Sequence, residues 1–446
     1  MIITNYEEVA HTPLRKDALD ILISGVNSVL PSKVLVNNIN FNKESRILKI
    51  EDSYFPIKGD VYVIGFGKAA GFMAEQIEKA IGLDNIKAGA VIDKTDSVKT
   101  EKVKLYVGSH PIPEERNVHA SNQILNLTQN LKSEDVVICL ISGGGSSLFT
   151  IPVENIELSE IKQLTTELLK CGAEVFEINI LRKHLCKIKG GKLLTYLNPA
   201  KVISIIFSDT IDTEYDATAS GPTSPDKSTF ADAFKVLEKY NLMEKAPNKI
   251  VDYLRKNIGN SENETLKEGS SLFNSAFNFI LADNSIALNA MKLKAEELGY
   301  EKVSIITKTL KGESREAAKK MSSTFKNASE RQVFLYAGET TVSVKGNGRG
   351  GRLQEYVAAL IPEISEIDNS VAASFGSDGV DFIDGIGGAI ADNNTLNECQ
   401  KKHLNVQEML EINNTFELHD KLGNLLKSAP TNTNVADLHV FIKGAF

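Results

Sequence analysis

Two stretches of this sequence place cationic side chains inside glycine-rich loops, where they could bind an anion. In the first, GFGKAA, Lys68 follows Gly65 and Gly67 directly after an apolar run. The second, GETTVSVKGNGRGGRLQE, carries Arg349 and Arg352 among closely spaced glycines and continues into a helix-like segment. Glycine lets backbone N–H groups turn toward one point, and Lys and Arg add charge suited to phosphate or carboxylate. A solvated turn explains either loop alone, but the recurrence of such loops favours an anion site.

A third loop of this kind follows the apolar run VVICLI. The order strand, Gly/Ser loop, helix supplies N–H and hydroxyl donors at a helix N-terminus, where phosphate commonly binds. The loop lacks the G-x-x-x-x-G-K-[ST] pattern of a Walker P-loop and the G-x-S-x-G spacing of serine hydrolases. We therefore predict an anion-binding loop that consists of Ser142, Gly143, Gly144, Gly145, Ser146 and Ser147.

Other candidates lie between the predicted strands. His110 is held extended by the proline that follows it, and it is either a ligand contact or a structural residue. The basic run RKHLCKIKGGKL forms either a cationic pocket wall or a solvated helix face. The remaining predicted substrate or nucleotide contacts are His110, Lys187, Lys189, Gly190, Glu339, Thr340, Gly350 and Gly351.

Acidic residues follow two apolar runs. Asp209 comes after VISIIF, and a carboxylate just beyond a strand's C-terminal end can orient Mg²⁺ or accept a proton, or it can cap a helix. Asp378, Asp381 and Asp384 lie three residues apart among glycines, without the register of an EF-hand. Metal binding, substrate hydroxyl contacts and turn formation all remain open for these three. We take Asp209 as a catalytic candidate and Asp209 and Asp378 as metal candidates.

Composition indicates an ordinary soluble protein. The 446 residues suggest two or three domains, 42% are apolar, and the net charge of -8 argues against a nucleic-acid partner. The four cysteines lack the spacing of a zinc site or a disulfide framework. Neither a leader nor a membrane-spanning run is recognisable, so we expect a cytoplasmic protein without a membrane partner.

Repeated strand, glycine loop and helix units predict an α/β protein with parallel sheets and a ligand crevice at the strand ends. The polar helical stretch from about 230 to 271 suggests the domain boundary. We expect a Rossmann-like three-layer α/β/α domain over residues 1–260 and a smaller α/β domain over 270–446. The active site is expected in the cleft between them, and the last residues are expected to pack back on the first domain.

GFGKAA also contains G-x-G-x-x-A, the dinucleotide-binding fingerprint, and Asp93 ends the next predicted strand at about the expected distance. An NAD(P)-dependent hydroxypyruvate or 2-hydroxy acid reductase is therefore an alternative. Lys68 counts against it, because a pyrophosphate-binding turn does not require a lysine there, whereas phosphoryl transfer uses one.

The ordered set of loops is more specific than any single loop. GFGKAA, SHPIPEERN, LISGGGSSL, RKHLCKIKGGKL, SDTIDTEYDATASGPT, GETTVSVKGNGRGGRLQE, GSDGVDFIDG and PTNTNVADL together resemble the glycerate 2-kinase family, whose C-terminal half is called the MOFRL domain. The resemblance spans about Arg15 to Lys443. This sequence departs from the family pattern at Lys192, Leu353, Ser428-Ala429 and the loop after Asp209.

The resemblance implies phosphorylation of D-glycerate at its 2-hydroxyl by ATP with Mg²⁺, giving 2-phosphoglycerate and ADP. It implies catalytic roles for Lys68 and Arg352, which match the family's lysine and arginine positions. The expected partners are small molecules, and a homo-oligomer is compatible with the sequence. Some family members have been labelled hydroxypyruvate reductases, the same alternative that the fingerprint raises. A non-catalytic anion-binding protein is the third possibility.

Overall fold

The computed structural model describes residues 2–209 and 218–445, and the chain divides into two compact units. We call Val34–Leu281 the α/β unit and Met1–Lys33 with Ala282–Phe446 the composite unit. The first 33 residues were expected in the N-terminal domain. Instead, they cluster with the C-terminal segment, because α2 (Pro13–Ser28) packs against α12 (Asn284–Glu297). An amphipathic pattern predicts that a helix buries one face, but it does not identify the partner.

The α/β unit is built on a largely parallel sheet. Its strands are β4 (Val61–Phe66), β5 (Ile86–Asp93), β6 (Val103–Val107), β7 (Val136–Ser142), β8 (Lys201–Phe207) and β9 (Ala276–Ala282). A separate antiparallel sheet contains β1 (Ile39–Asn42), β2 (Ile47–Ile50) and β3 (Ser53–Pro56). The helices of the α/β unit are α3 (Pro31–Asn38), α4 (Ala70–Ile81), α5 (Glu115–Asn126), α6 (Gly145–Leu148), α7 (Leu158–Lys170), α8 (Val175–His184), α9 (Leu193–Leu197), α10 (Phe230–Lys239) and α11 (Asn248–Asn257).

The strand order in this sheet is β6-β5-β4-β7-β8-β9, and the pairs from β6 to β8 are parallel. From β4 the chain first adds β5 and β6 on one side, and it then adds β7 and β8 on the other. The order therefore reverses between β4 and β7. In open α/β sheets, ligands bind beyond the carboxyl ends of the strands at such a reversal.

Continuous apolar runs explain this sheet. Every residue of β7 is buried, as expected for a parallel strand covered on both faces. Phe66 at the end of β4 stacks on Phe149, with ring centroids 4.2 Å apart, just below the loops that follow β4 and β7. A second apolar cluster lies among α7, α8, α10 and α11. The predicted α/β class is confirmed.

The composite unit contains a mixed sheet in the order β10-β11-β15-β12-β13-β14. Its strands are β10 (Lys302–Leu310), β11 (Gln332–Gly338), β12 (Ser370–Gly376), β13 (Ile386–Asp392), β14 (Leu425–Lys427) and β15 (Asp437–Lys443). Its helices are α1 (Tyr6–Val9), α2, α12, α13 (Ser314–Phe325), α14 (Arg352–Ile364), α15 (Thr395–Lys401), α16 (Val406–Glu411) and α17 (Thr415–Leu422).

The last strand, β15, pairs antiparallel with β11 and β12 in the middle of this sheet, and α2 packs against it. Residues Thr340–Val344 do not form a strand, since β11 ends at Gly338 and Thr341 makes only a single bridge to Glu313. Within the described residues, no single helix is long and apolar enough to cross a membrane, and only α2 and α3 taken together pass that test.

Candidate active site

The loops after β4 and β7 touch each other at the reversal of strand order. The backbone N–H of Lys68 donates to Gly143 O at 2.9 Å, and Ala69 N–H donates to Ser142 Oγ at 3.1 Å. Gly67 has φ +126°, and a side chain there would collide with Ser142. Only glycine combines this backbone conformation with so close an approach. The two predicted anion loops therefore form one structure.

Lys68 and His110 flank the glycine loop on the same side. A Cβ atom placed on Gly144 would lie 3.0 Å from both Lys68 Cγ and His110 Cδ2. Gly144 has φ +81° and immediately precedes α6. Three segments that are distant in sequence thus bring a lysine, a histidine and a glycine backbone together.

A second cation, Arg182 of α8, belongs to the same group. Arg182 Nη1 donates to Asn179 Oδ1 at 3.4 Å, and Ser220 Oγ donates to the same oxygen at 3.4 Å. Ser220 Oγ in turn lies 2.8 Å from Ser146 Oγ in the glycine loop. Sequence reasoning missed Asn179, which lies outside the quoted motifs. It did not select Ser220 or Arg182, although the loop SDTIDTEYDATASGPT contains Ser220 and the basic run contains Arg182.

Electrostatics identify this group as a place for an anion. Burial, together with the positive charges of Lys68, Lys94 and Arg182, lowers the pKa of His110 to about 4. Burial also lowers the pKa of the Arg182 guanidinium. His110 is therefore neutral at pH 7 and surrounded by cations. We call Lys68, His110, Arg182 and the loop Ser142–Ser147 the anion cluster.

The rest of the basic run is mainly structural. Lys189 is buried, and its Nζ donates to Phe149 O at 2.5 Å, which argues against direct contact with a ligand. Lys187 Nζ lies 3.6 Å from Glu154. Gly190 has φ +58° and its N–H donates to Ser220 O at 3.0 Å, so it supports the anion cluster indirectly. Two further residues in this run are held by carboxylates: Lys183 forms an ion pair with Asp226 at 3.1 Å, and His184 Nε2 lies 2.7 Å from Glu264 Oε1.

Asp93 is used as a helix cap. Its Oδ2 accepts a hydrogen bond from Gly71 N–H, in the first turn of α4, at 2.9 Å, and its Oδ1 accepts one from Lys94 N–H at 2.6 Å. Burial raises its pKa to about 6, although these backbone hydrogen bonds act in the opposite direction. Only 2% of the residue is exposed. In a dinucleotide site this carboxylate would have to reach the ribose hydroxyls.

We call residues 345–351 of the composite unit the Gly/Arg loop. Its backbone N–H groups point toward the protein. The N–H groups of Lys345 and Gly346 donate to Asn413 Oδ1 at 2.8 and 3.1 Å, and Gly348 N–H donates to Ile412 O at 2.9 Å. The Arg349 guanidinium lies over the Phe416 ring, 4.9 Å from its centroid. The expectation that these N–H groups converge on a ligand is therefore wrong for this loop.

The helix N-terminus behind this loop already has an anion. The Asp381 carboxylate accepts hydrogen bonds from Leu353 N–H at 3.1 Å and from Gln354 N–H at 2.9 Å, at the start of α14. Gly351 leaves room for this carboxylate, as a side chain there would collide with it, and Gly350 packs against the Thr415 hydroxyl in the same way. Asp381 is fully buried, which argues against the metal or substrate contact left open for it.

Arg352 is also held by a carboxylate. Its Nε and Nη2 donate to the two oxygens of Asp437 at 2.6 and 2.7 Å, and Nη2 lies 3.6 Å from the half-exposed Glu339. Burial raises the pKa of Asp437, and Arg352 opposes that effect. About a quarter of the Arg352 side chain stays exposed, whereas Thr340 is buried.

The two metal candidates belong to different units. Asp378 Oδ1 accepts a hydrogen bond from Val380 N–H at 3.1 Å, and Asp209 lies two residues beyond β8, half-buried. No group of three or more His, Cys, Asp or Glu residues in the described ranges is arranged to hold a metal ion. The departure from the family pattern after Asp209 falls largely on residues 210–217, outside those ranges.

Comparison with known proteins adds independent information. Residues 17–255 match the model of a domain of unknown function, DUF4147, and residues 332–437 match the MOFRL family. A glycerate 2-kinase of Pyrococcus horikoshii is 34% identical and covers 96% of this chain and 97% of its own length. The chain belongs to the glycerate 2-kinase family.

Within this family, the crystal structure of glycerate kinase from Thermotoga maritima resembles the chain with a TM-score of 0.81 and 31% identity. The match covers 96% of this chain and 99% of that one. A putative hydroxypyruvate reductase of Agrobacterium vitis is 30% identical over 87% of this chain and 88% of its own length. The resemblance identified from the ordered loops, including the MOFRL domain, is confirmed.

Proposed function

We propose that this protein transfers the γ-phosphoryl group of ATP to the 2-hydroxyl of D-glycerate, forming 2-phosphoglycerate and ADP. The observation that carries the proposal is the anion cluster at the reversal of strand order. It joins a lysine, an arginine and a Gly/Ser loop in a member of the glycerate 2-kinase family. Phosphoryl transfer needs positioned and neutralised oxygens rather than covalent participation of the protein, and these groups supply both.

Lys68 is the first catalytic residue in this proposal. Its side chain starts beside Gly144, where it can stabilise charge on a phosphoryl or carboxylate oxygen held by the loop. Neutral His110 can donate one hydrogen bond to the same anion without adding charge. The Gly/Ser loop contributes backbone N–H groups, whereas the hydroxyls of Ser146 and Ser147 bond to Ser220 and Gly144.

Arg352 stays the second catalytic candidate. Asp437 occupies its Nε and Nη2 edge, so a substrate oxygen would have to approach another edge of the guanidinium or displace the carboxylate. Arg349 is exposed and stacked on an aromatic ring, and we assign it an assisting role at most.

Mg²⁺ is expected to accompany ATP. Kinases typically hold Mg²⁺ through one or two carboxylates together with phosphate oxygens and water rather than in a complete protein cage. We propose Asp209 as the protein ligand, with Asp378 as the second candidate. Bound Mg²⁺ would neutralise charge on the phosphate oxygens. We also propose that the protein acts in the cytoplasm on small molecules alone.

The reductase alternative is disfavoured by Asp93. The carboxylate that a dinucleotide site needs for the ribose is buried and bonded to the N-terminal turn of α4. The relative with a reductase name gives this alternative its remaining support.

One assay separates the two functions. Purified protein is mixed with D-glycerate, ATP and Mg²⁺ while ADP release is followed, and enolase is added to detect 2-phosphoglycerate. A parallel reaction contains hydroxypyruvate with NADH or NADPH. We expect ADP release with immediate enolase turnover. Oxidation of the nicotinamide without ADP release would refute the proposal and support the reductase.

A further inference from the structure

Asn117 connects two parts of the anion cluster through one buried amide. It is the third residue of α5 and has no exposed surface. Its Oδ1 accepts hydrogen bonds from Ser109 N–H at 2.8 Å and Glu114 N–H at 3.2 Å. Its Nδ2 donates to Ser109 O and to Ser147 O, both at 2.9 Å. The side chain therefore uses both of its donors and both of its acceptor positions.

These contacts hold the segment that precedes His110 at a fixed distance from the glycine loop. Ser109 immediately precedes His110, and Ser147 closes the glycine loop, with its Oγ donating to Gly144 O at 3.1 Å. Because Asn117 holds the backbone of both segments, it sets the separation of the His110 ring from the Gly144 backbone. The ring lies beside that glycine.

We propose that Asn117 is a positioning residue that sets the affinity of the anion cluster by holding His110 against the glycine loop. It does not contact the ligand itself. The identity of the ligand as a substrate of a glycerate kinase rests on the proposed function, whereas the binding of an anion does not.

Capping of α5 is the competing role. The Asn117 side chain accepts from the N–H of Glu114, and the Glu114 side chain accepts from the N–H of Asn117, so the two form a capping box. Glu114→Ala removes one half of this cap and leaves the amide contacts to Ser109 and Ser147 in place. It is therefore the matched control for helix capping.

Two substitutions at Asn117 remove the connection in different ways. Asn117→Asp keeps the shape but turns the donor edge into an acceptor that faces two carbonyl oxygens, which should repel them. Asn117→Ser shortens the side chain so that it no longer reaches Ser147. If the aspartate variant fails to fold, the serine variant decides the question.

Binding of inorganic phosphate is measured by isothermal titration calorimetry. We expect both Asn117 variants to bind phosphate about tenfold or more weakly, since misplacement of a binding group by about 1 Å can cost up to about a hundredfold. Glu114→Ala should stay within about twofold of the unchanged protein. Folded Asn117 variants that bind phosphate normally would overturn the proposal, and so would unchanged protein that binds no phosphate.

The pKa of His110, measured by NMR, distinguishes positioning from helix capping, because loss of the cap alone should leave this pKa unchanged. The chain has seven histidines, and the His110 signal can be assigned by its loss in His110→Gln. We expect the pKa of His110 to rise from about 4 toward its ordinary value of 6.5 in Asn117→Ser, because the ring is released toward water, and to stay low in Glu114→Ala. A low pKa in both variants would refute the positioning role.

The kinase assay separates this inference from the proposed function. If D-glycerate produces no ADP but phosphate affinity still depends on Asn117, the proposed function fails and the positioning role stands. If the enzyme is active, the Asn117 variants should raise the KM for the anionic substrate more than they lower kcat.

Discussion

Replacement of Gly144 by alanine tests the geometry of the anion cluster most directly. Gly144 has φ +81°, which L-residues rarely adopt, and its added Cβ would lie 3.0 Å from Lys68 Cγ and His110 Cδ2. Gly172→Ala is the matched control, because Gly172 has φ +74° and no atom lies within 4 Å of the position of its Cβ. Both substitutions carry the same backbone penalty, but only the first disturbs the anion cluster.

The expected losses of stability and of kcat/KM follow from the left-handed backbone and from the contacts of the added Cβ. Alanine in a left-handed backbone conformation lowers the free energy of unfolding by about 1–2 kcal/mol. Replacement of glycine also lowers the entropy of the unfolded chain, which offsets part of this loss. We therefore expect both variants to lose about 1 kcal/mol of unfolding free energy, or about 2–4 °C in Tm for a unit of this size. Gly144→Ala must also push Lys68 and His110 by a few tenths of an ångström. On a scale where 1 Å costs up to about a hundredfold, kcat/KM should fall by about three- to tenfold.

Differential scanning calorimetry and the ADP-release assay measure the two effects separately. We expect equal losses of Tm in the two variants and a loss of kcat/KM in Gly144→Ala alone. Equal activity in the two variants would show that Lys68 and His110 do not lie beside Gly144 in the working enzyme. A normal Tm in Gly144→Ala would show that its backbone is not left-handed.

Three further substitutions test individual assignments. Lys68→Met should lower kcat by about a hundredfold or more without lowering Tm, because it removes charge stabilisation of the transferring group; normal turnover would end its catalytic role. Asp437→Asn should destabilise the protein by about 2–4 kcal/mol, because the largely buried Arg352 loses its carboxylate, and an unchanged thermal transition would contradict this. Asp93→Asn tests a pH dependence. An unfolded aspartate ionises near pH 3.8, whereas folded Asp93 keeps its proton to about pH 6, so the unchanged protein loses stability as the pH rises between these values. The stability of the asparagine variant relative to the unchanged protein should therefore rise by about 2 kcal/mol between pH 4 and pH 7, and an equal difference in urea midpoints at both values would refute it.

The local features of this chain could be predicted from its sequence. Apolar runs followed by glycine loops and helical segments determined that β4 and β7 are buried parallel strands with glycine loops at their ends. The ordered set of loops was enough to identify the family. These features depend on residues that are neighbours in sequence, so their spacing is visible without a structure.

Partners that are distant in sequence could not be predicted. The Gly/Arg loop and the start of α14 resembled an anion site, but Asn413 takes the loop's N–H groups and Asp381 occupies the helix N-terminus. Asp93 matched a ribose-binding carboxylate in spacing, yet it caps α4. In each case a backbone N–H group needs an acceptor, and the sequence shows that need without showing which residue meets it.

What the sequence alone determined is which loops carry donors and positive charge. The tertiary structure decided which of those loops lie together and which of them give their donors to other parts of the chain. At the reversal between β4 and β7, the chain brings Lys68, His110 and Arg182 together. At α14, Asp381 and Asp437 already balance the helix terminus and Arg352. The physical reason is that charge is balanced in space, between residues that the fold brings together.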